Sequence, residues 1–574
     1  LSAPLSIFFM DLCVCAWGGM SGAVKGAESP RSVRPKLVYW TVSMTRHIFK
    51  KFARSETLPG RLHIQPRDVA LYIFAILAIS TNFSFVAGIT FFVFSILILF
   101  FYTQKTDDTE SVNIKSWMPL IPLAFLLLTR VLPFFLYGHH PLGYDTGIYN
   151  FYITSPFVSF PNQPIKGLGL ESIGSRILID TLRVLHVSPA FILYGVYIAS
   201  SIIIGVLIYL IVKEQFNKNA AFFSLFFYSV SMTQFTTYHA MLWKNMIALV
   251  FLLSFVYFFN KERAKRNTLY VFLFALLTIL THRTTAIMLL LGLLVYLIMN
   301  FKRDRVRWDL VAQLLVLSAI FAFLNYALIQ NVFPDVIDYF RRNEVGAPSS
   351  FVSLGEGSFI SIGQYLKLSF IILPLALLSF CFLRARQNII FYIFGISALF
   401  VIFHLYFYKR VLVYFDIMAV ILAGIAFAVI FQKFWYDKVY RYAMVGLLVA
   451  LPLITLQFSK SQEPMVTETE LKEIINLQNT EEDATVMTLS SYYGPWIYGF
   501  SKRNTIAPGL FEDRWNNEKW NEFWFTNNQE VRRKMLSQLP RPLYIFSGKQ
   551  RLPASLQKNC LENFSPLVKK YICD

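Results

Sequence analysis

Long apolar runs separated by short polar stretches make up most of the sequence. Thirteen of them are long enough to cross, or nearly cross, the roughly 30 Å hydrocarbon core of a bilayer. They lie at about 69–81, 84–102, 117–137, 190–212, 220–237, 245–259, 269–281, 284–300, 309–329, 361–382, 389–408, 411–431 and 442–458. Residues 81–83 alone join the first two runs, which could therefore form one long broken helix. The pattern predicts a polytopic α-helical membrane protein with about thirteen transmembrane helices.

Composition supports the same class. Of the 574 residues, 56% are hydrophobic and only 15% are charged, whereas soluble domains carry about 25% charged residues. The formal net charge of +19 does not indicate nucleic acid, because the basic residues do not cluster on one soluble face. We expect no nucleic-acid partner.

The basic residues instead predict the orientation of the chain. The connections at 260–267, 301–308, 383–387 and 433–441 are rich in Lys and Arg, as cytoplasmic loops are. This assignment predicts a cytoplasmic N-terminus and three long outer pieces, at 138–189, at 330–360 and from 459 onward. The protein is thus expected in the plasma membrane, although an endoplasmic reticulum topology is equivalent.

Three domains follow from these patterns. Residues 1–67 form a basic cytoplasmic segment, of which we expect 1–43 to be non-native, because Met44 opens a more natural start. Residues 68–458 form the transmembrane domain. Residues 459–574 form a small extracytoplasmic α/β domain, with a helix at 468–478 and strands at 484–489 and 542–547.

The five cysteines show neither a CxxC pair nor a zinc-binding spacing. Cys560 and Cys573 both lie in the C-terminal segment. In an oxidising compartment they could form a disulfide, and two unrelated free thiols are an equal alternative. Their spacing does not decide between the two.

The first outer loop contains the strongest candidate for chemistry, Asp145, between Gly143 and Gly147. A carboxylate at the mouth of a helix bundle can accept a hydroxyl proton or bind a divalent cation such as Mg²⁺ or Mn²⁺. The alternative is an Asx-turn or the N-cap of a following helix. His139 and His140 add metal-ligand capacity, although adjacent histidines are also ordinary interfacial residues.

Cationic residues lie at or near the predicted outer ends of several spans: Lys244, His282, Arg283, Lys409 and Arg410. Such charges are costly in lipid and acids are scarce here, so an anionic ligand such as a lipid phosphate is a natural partner. The alternative is snorkelling to the headgroups, which suits Lys244 and Lys409 best.

Asp416 follows about two turns beyond Arg410 in the same predicted span. We interpret it as an internal counter-ion rather than as a catalytic group.

This layout resembles the GT-C superfamily of polytopic glycosyltransferases, which use sugars carried on polyprenyl phosphate or diphosphate. The acidic residue of their first outer loop matches the stretch Gly143-Tyr-Asp145-Thr-Gly-Ile-Tyr149. A histidine and arginine at the outer end of a middle helix are similar to His282 and Arg283. An arginine that opens a late helix resembles Arg410, and the resemblance implies that it holds the donor phosphate.

The stretch at 490–509 resembles the segment that opens the soluble domain of oligosaccharyltransferase catalytic subunits. Those enzymes carry Trp-Trp-Asp-Tyr-Gly, whereas this chain has Tyr492-Tyr-Gly-Pro-Trp496 without an aspartate. Recognition of a glycosylation sequon is therefore not implied.

The resemblance implies transfer of a sugar from a polyprenyl-phosphate carrier in the membrane lipid to a glycan, lipid or protein acceptor. Arg410 would neutralise the phosphate with help from neighbouring cations. Asp145 would act as the base or hold a metal ion, with inversion at the anomeric carbon. The sugar would stack on aromatic residues: Tyr144, Tyr149, Trp496 and Tyr498. These aromatics could equally be interfacial belt residues.

The loop at 330–360 is either a lid over the substrate or a plain connector. Two other functions compete with the enzyme. A flippase or transporter would place paired broken helices and charges at the membrane midplane in two related halves. A non-catalytic scaffold would tolerate replacement of Asp145.

Overall fold

The computed structural model describes residues 114–138, 140–155, 173–261, 265–300, 308–326, 359–382, 389–403, 408–436, 438–508, 515, 517–550, 552 and 560–573. The predicted N-terminal segment at 1–67, the runs at 69–81 and 84–102, His139 and nearly all of the loop at 330–360 lie outside these residues. The described chain is a helical bundle followed by a small domain that contains a five-stranded sheet.

The helices of the bundle are α1 (Leu120–Tyr137), α2 (Thr146–Thr154), α3 (Ile173–Val184), α4 (Val196–Gln215), α5 (Lys218–Val230), α6 (Met232–His239), α7 (Trp243–Asn260), α8 (Lys265–Thr281), α9 (Arg283–Asn300), α10 (Trp308–Leu324), α11 (Ile362–Leu368), α12 (Ile372–Phe382), α13 (Ile389–Ile402), α14 (Tyr408–Phe434) and α15 (Lys438–Lys460). A π-helical turn, Phe191–Gly195, leads into α4.

Six helical segments of the described chain are long and apolar enough to cross a membrane: Leu120–Tyr137, Phe191–Gln215, Trp243–Asn260, Arg283–Asn300, Tyr408–Phe434 and Lys438–Lys460. Shorter apolar helices accompany them. The prediction of a multi-pass helical membrane protein is confirmed. The count of thirteen spans and the domain boundaries at 67 and 458 stay predictions.

Helix α14 lies at the centre of the bundle and packs against α5, α12 and α13. Nearly all of its residues from Val411 to Phe434 are buried. A side chain at Gly424 would collide with the backbone of Ser224 on α5, so glycine lets the two helices approach closely, as small residues do in membranes. The central position of α14 brings its first turn, which carries Arg410, to the end of the bundle where the other candidate residues lie.

The apolar run at 220–237 is not one span, as predicted, but two helices that meet at Ser231. Ser231 has an extended backbone, and its hydroxyl accepts a hydrogen bond of 3.1 Å from the amide of Gln234. Serine favours this N-cap arrangement over a helix interior. The run at 361–382 is likewise divided, into α11 and α12.

The C-terminal domain contains α16 (Glu468–Asn476), α17 (Gly494–Trp496), α18 (Asn517–Phe525) and α19 (Gln529–Ser537). Its strands are β1 (Thr485–Thr488), β2 (Asn504–Ile506), β3 (Leu543–Phe546), β4 (Leu561–Asn563) and β5 (Val568–Tyr571), in the order β2-β1-β3-β5-β4. Strand β1 runs parallel to β2 and β3, and β5 runs antiparallel to β3 and β4. The predicted helix and both predicted strands are confirmed.

Both faces of this sheet are covered. Leu543 and Ile545 of β3 belong to one apolar cluster with Trp515, whereas Tyr544 and Phe546 belong to another on the opposite face. Alternate residues of a strand point to opposite faces, which explains why the short strand is buried throughout. Cys560 and Cys573 form a disulfide across a Cα–Cα distance of 4.8 Å, and this settles the alternative that their spacing left open.

Candidate active site

The first outer loop is held against the end of α6. The amide of Gly143 donates a 2.8 Å hydrogen bond to the carbonyl oxygen of His239. A Cβ atom on Gly143 would lie 2.8 Å from that same oxygen, so only glycine permits this approach. Two residues later, Asp145 begins helix α2.

Asp145 occupies the N-cap position of α2, but its side chain makes no capping hydrogen bond. The carboxylate is half-buried. Burial raises the pKa of Asp145, while the positive charges of Arg410 and Lys244 lower it. Cations from two distant parts of the sequence thus affect the pKa of this carboxylate, and perturbed pKa values of this kind are typical of functional sites.

Lys244 lies at the start of α7 and faces α2. Its Nζ atom lies 5.2 Å from the centre of the Tyr152 ring and 6.0 Å from that of Tyr149. Its backbone amide donates a 3.4 Å hydrogen bond to the hydroxyl of Tyr149. The Tyr149 ring also lies 5.5 Å from the Trp243 ring. Lys244 thus lies close to two aromatic rings of α2.

His282 caps α9 at the same end of the bundle. Its Nδ1 atom accepts a 3.4 Å hydrogen bond from the amide of Thr285 and lies 2.9 Å from the Thr285 hydroxyl. Burial lowers the pKa of His282, and the charges of Arg410, Arg283 and Lys244 lower it further. Since Nδ1 accepts from the backbone amide, Nε2 is the ring nitrogen that can donate a hydrogen bond.

Tyr414 connects His282 with α14. Its hydroxyl lies 2.6 Å from the hydroxyl of Thr285 and 3.3 Å from Nδ1 of His282. Asn245 of α7 donates a 3.5 Å hydrogen bond to the same hydroxyl. Neither Tyr414, Thr285 nor Asn245 was predicted. Their spacing contained the signal, since Tyr414 follows Arg410 by one helical turn and Thr285 is the third residue after His282.

The positive charge of Arg410 acts on several of these groups. Arg410 lies in the first turn of α14 and is half-buried. Burial raises the pKa of Asp145 and that of Tyr144, and the charge of Arg410 opposes both shifts. Burial lowers the pKa of His282, and the charge of Arg410 lowers it further. The neighbouring Lys409 is half-buried and its Nζ atom lies 6.0 Å from the ring of Tyr408.

The predicted aromatic residues differ in their surroundings. The hydroxyl of Tyr144 is buried and has no hydrogen-bond partner among the described residues. Tyr498 packs on Phe151 of α2, with ring centres 4.3 Å apart. Trp496 has no exposed surface and stacks on Phe500, so its indole packs inside the protein.

The segment that contains Trp496 and Tyr498 packs directly on α2. A Cβ atom on Gly147 would collide with the carbonyl group of Pro495, and one on Gly499 would collide with the backbone of Gly147. The side chain of Asn150 donates a 3.1 Å hydrogen bond to the carbonyl oxygen of Gly499. The C-terminal domain is thus joined to the helix that Asp145 begins.

Of the three predicted metal ligands, Asp145 and His140 are among the described residues, whereas His139 lies outside them. Nδ1 of His140 lies 2.5 Å from the hydroxyl of Tyr194, and its ring packs on Phe500. Across the described chain, no three His, Cys, Asp or Glu residues are grouped so that they could hold a metal ion.

Asp416 is buried within the bundle, and its contacts differ from the counter-ion interpretation. Its Oδ2 atom accepts hydrogen bonds of 2.8 Å from Ser231 and 2.9 Å from Gln234. Both donors are neutral and belong to the junction of α5 and α6. No sequence signal pointed to them.

Several known proteins are similar to this chain. A model of the family described as dolichyl-phosphate-mannose-protein mannosyltransferase matches residues 180–327. No curated protein matches the sequence. The oligosaccharyltransferase of Archaeoglobus fulgidus, solved with Zn and sulfate, is 14% identical with a TM-score of 0.55, over 75% of this chain and 67% of its own.

Two further solved structures are similar. The Archaeoglobus fulgidus oligosaccharyltransferase AglB with an inhibitory peptide and a dolichol-phosphate is 14% identical, with a TM-score of 0.53, over 75% of this chain and 69% of its own. ArnT of Cupriavidus metallidurans bound to undecaprenyl phosphate is 12% identical, with a TM-score of 0.51, over 79% of this chain and 97% of its own. The fold is that of the GT-C membrane enzymes, and the resemblance of the sequence is confirmed.

Proposed function

We propose that this protein is a membrane glycosyltransferase that moves a sugar from a polyprenyl-phosphate or polyprenyl-diphosphate carrier to a glycan, lipid or protein acceptor. The observation that carries the proposal is the convergence of candidate groups at one end of the bundle. Lys244 is hydrogen-bonded through its amide to Tyr149 of the helix that follows Asp145, and His282 and Thr285 meet Tyr414, one turn beyond Arg410. The fold supports it, because similar structures contain dolichol-phosphate and undecaprenyl phosphate.

Arg410 is proposed to bind the phosphate of the donor. The leaving phosphate gains negative charge as the glycosidic bond breaks, so a fixed cation stabilises the transition state more than the ground state. A guanidinium offers two parallel hydrogen bonds to a phosphate. Lys244, Lys409 and Arg283 add positive charge, and Nε2 of His282 can donate a hydrogen bond.

Asp145 is proposed to act as the general base. Its carboxylate takes the proton of the acceptor hydroxyl, whose oxygen attacks the anomeric carbon of the sugar. The bond from that carbon to the phosphate oxygen breaks, and its electron pair leaves with the phosphate. Attack opposite the leaving group inverts the anomeric configuration. The alternative role of Asp145 is to hold a divalent cation that activates the same hydroxyl.

Tyr144 and Tyr498 are proposed to contact the sugar. Both belong to the region where α2 meets the C-terminal domain, and the buried hydroxyl of Tyr144 has a free hydrogen-bonding position in the described chain. The burial of Tyr149 and Trp496 suits a packing role for these two rings better.

The proposed reaction takes place at the outer face of the membrane. Helices α7, α9 and α14 begin at the candidate site, and each runs away from it to a connection rich in Lys and Arg. Basic connections mark the cytoplasmic side. Helix α15 runs back and ends beside α1, where the hydroxyl of Tyr137 donates a 2.8 Å hydrogen bond to the carbonyl oxygen of Lys460. The C-terminal domain therefore follows on the outer side.

Transfer from a set of radiolabelled polyprenyl-phosphate sugars into crude cell-envelope acceptors tests this function. Purified protein is compared with Asp145→Asn and Arg410→Ala. Asp180→Asn is the matched acidic control, because its carboxylate pairs with Arg176 and Arg183 on α3. Turnover that is lost in both variants and retained in the control supports the proposal.

Two results would contradict the proposed function or the proposed base. Lipid binding without transfer in every protein indicates the alternative function, a flippase or transporter of lipid-linked sugars. Transfer that persists in Asp145→Asn means that another group is the base.

A further inference from the structure

The short helix α6 is fixed at its beginning by a buried charge. Asp416 of α14 accepts hydrogen bonds from Ser231, which precedes α6, and from the side chain of Gln234. Gln234 also donates a 3.2 Å hydrogen bond to the carbonyl oxygen of Val413 on α14. Asp416 has no exposed surface. A buried carboxylate is costly within a membrane bundle and usually has a specific role.

The same helix is held from its other side by Arg130 of α1, which is also fully buried. Its guanidinium lies 5.0 Å from the ring centre of Tyr238 and 5.5 Å from that of Phe235. The hydroxyl of Tyr238 donates a 2.8 Å hydrogen bond to the carbonyl oxygen of Arg130. Tyr197 of α4 donates to the last carbonyl groups of α6. Three helices thus hold α6 in one position.

The far end of α6 reaches the candidate site. The carbonyl oxygen of His239, its last residue, accepts the hydrogen bond from Gly143, two residues before Asp145. The chain then turns through Met241, which has a φ of 61°, and enters α7 with Lys244 in its first turn. The position of α6 therefore determines where two proposed active-site charges lie.

We propose that Asp416 is a positioning residue for glycosyl transfer. It fixes α6 to α14, the helix whose first turn carries Arg410, and so sets Asp145 and Lys244 relative to the phosphate-binding cation. The proposal rests on the proposed function only for the roles of the groups that are positioned. The hydrogen bonds from Ser231 and Gln234 to Asp416 can be tested without an assay of sugar transfer.

Amide hydrogen exchange of the full-length protein in lipid nanodiscs provides that test. Asp416→Ala is expected to raise exchange about tenfold in peptides covering 140–146 and 239–246, the order of one lost hydrogen bond. Asp416→Asn keeps an oxygen that accepts both bonds and is expected to rescue the protection. Ser224→Ala is the control, because it removes a buried hydrogen bond to Ile421 of α14 that does not involve α6.

Kinetics with the donor that the wild-type protein uses provide a second readout. Asp416→Ala is expected to lower kcat by about 10- to 100-fold with the KM for the donor nearly unchanged, because misplaced groups act on the transition state. If Asp416→Ala does not fold, Gln234→Ala removes one of the two bonds and is expected to give the same pattern with a smaller amplitude.

Unchanged exchange at both segments, or a uniform increase across the bundle, would overturn the positioning role. A kcat equal to that of the wild type would do the same. If the wild-type protein transfers no sugar, the proposed function fails and the exchange result alone decides whether Asp416 fixes α6 to α14.

Discussion

Replacing Gly147 with alanine tests whether the contact between α2 and the C-terminal domain shapes the active site. The added Cβ atom would collide with the carbonyl group of Pro495 and lie 2.7 Å from the Cα atom of Trp496. These are backbone atoms, so no side chain can rotate away. Gly499 lies against the backbone of Gly147 in the same contact. The collision can therefore be relieved only by a shift of α2.

The size of that movement follows from the contact distance. Ordinary van der Waals contact begins at 3.4 Å, so α2 must shift from Trp496 by at least about 0.7 Å. Overpacking of this kind lowers the free energy of unfolding by about 1–3 kcal/mol. Asp145 lies two residues from Gly147, and a displacement of about 1 Å in an active site can lower the rate about 100-fold. We expect Gly147→Ala to lower kcat by about 10- to 100-fold.

The assay is transfer from the lipid-linked donor by purified protein, with thermal unfolding measured in parallel. Gly446→Ala on α15 is the matched control, because nothing lies within 4 Å of its added Cβ atom. The control is expected to keep full activity and to be slightly more stable, since alanine favours a helix over glycine. Full activity and unchanged unfolding of Gly147→Ala would refute the argument.

Further results are expected for the charged residues, for metal removal and for the disulfide. Arg410→Ala should lower kcat by about 100- to 1,000-fold, the usual effect of losing one preorganised group that stabilises transition-state charge; single-turnover rates check this, and a change confined to KM would contradict it. Because the base must be deprotonated and burial raises the pKa of Asp145 above its ordinary 3.8, turnover should fall as the pH drops through that raised value. Arg410→Gln removes a charge that lowers this pKa, so the acid limb of the pH profile should move to higher pH, and an unmoved limb would exclude Asp145 as its origin. Chelation with EDTA should leave turnover intact if Asp145 is a base, whereas loss that Mn²⁺ or Mg²⁺ restores would make it a metal ligand. Cys560→Ser opens a disulfide with a sequence separation of 13 and should destabilise the C-terminal domain by about 3 kcal/mol, seen as a lower unfolding temperature that reduction of the wild-type protein reproduces.

The membrane architecture could be predicted because hydrocarbon imposes one rule on every span. Each crossing segment must be apolar over most of its length and must satisfy its own backbone hydrogen bonds. The strands at 484–489 and 542–547 could also be predicted, because both segments are short and mostly apolar. In both cases the signal is local.

The break at Ser231 was not predicted because the segment at 220–237 was treated as one apolar run, although Thr233, Gln234, Thr236 and Thr237 are polar. At the break itself, the amide of Gln234 donates a hydrogen bond to the Ser231 hydroxyl. The carboxylate that receives the Ser231 hydroxyl hydrogen bond, Asp416, lies 185 positions further along the chain. The hydropathy of a segment gives no information about a hydrogen-bond partner at that sequence separation.

The candidate charges show which features of the site local sequence predicts and which depend on contacts between distant residues. Charged side chains are costly in lipid, so cations without acidic partners are expected at the ends of transmembrane helices. Because successive helices cross the membrane in opposite directions, alternate helix ends lie on the same face. That argument predicts the face but not the neighbours. In the proposed arrangement, Gly143 is hydrogen-bonded to the end of α6 and Asp416 to its beginning, so this helix connects the loop of Asp145 with the helix that carries Arg410. The step from a charged face to the candidate site therefore depends on a helix of 8 residues that the sequence prediction merged into its neighbour.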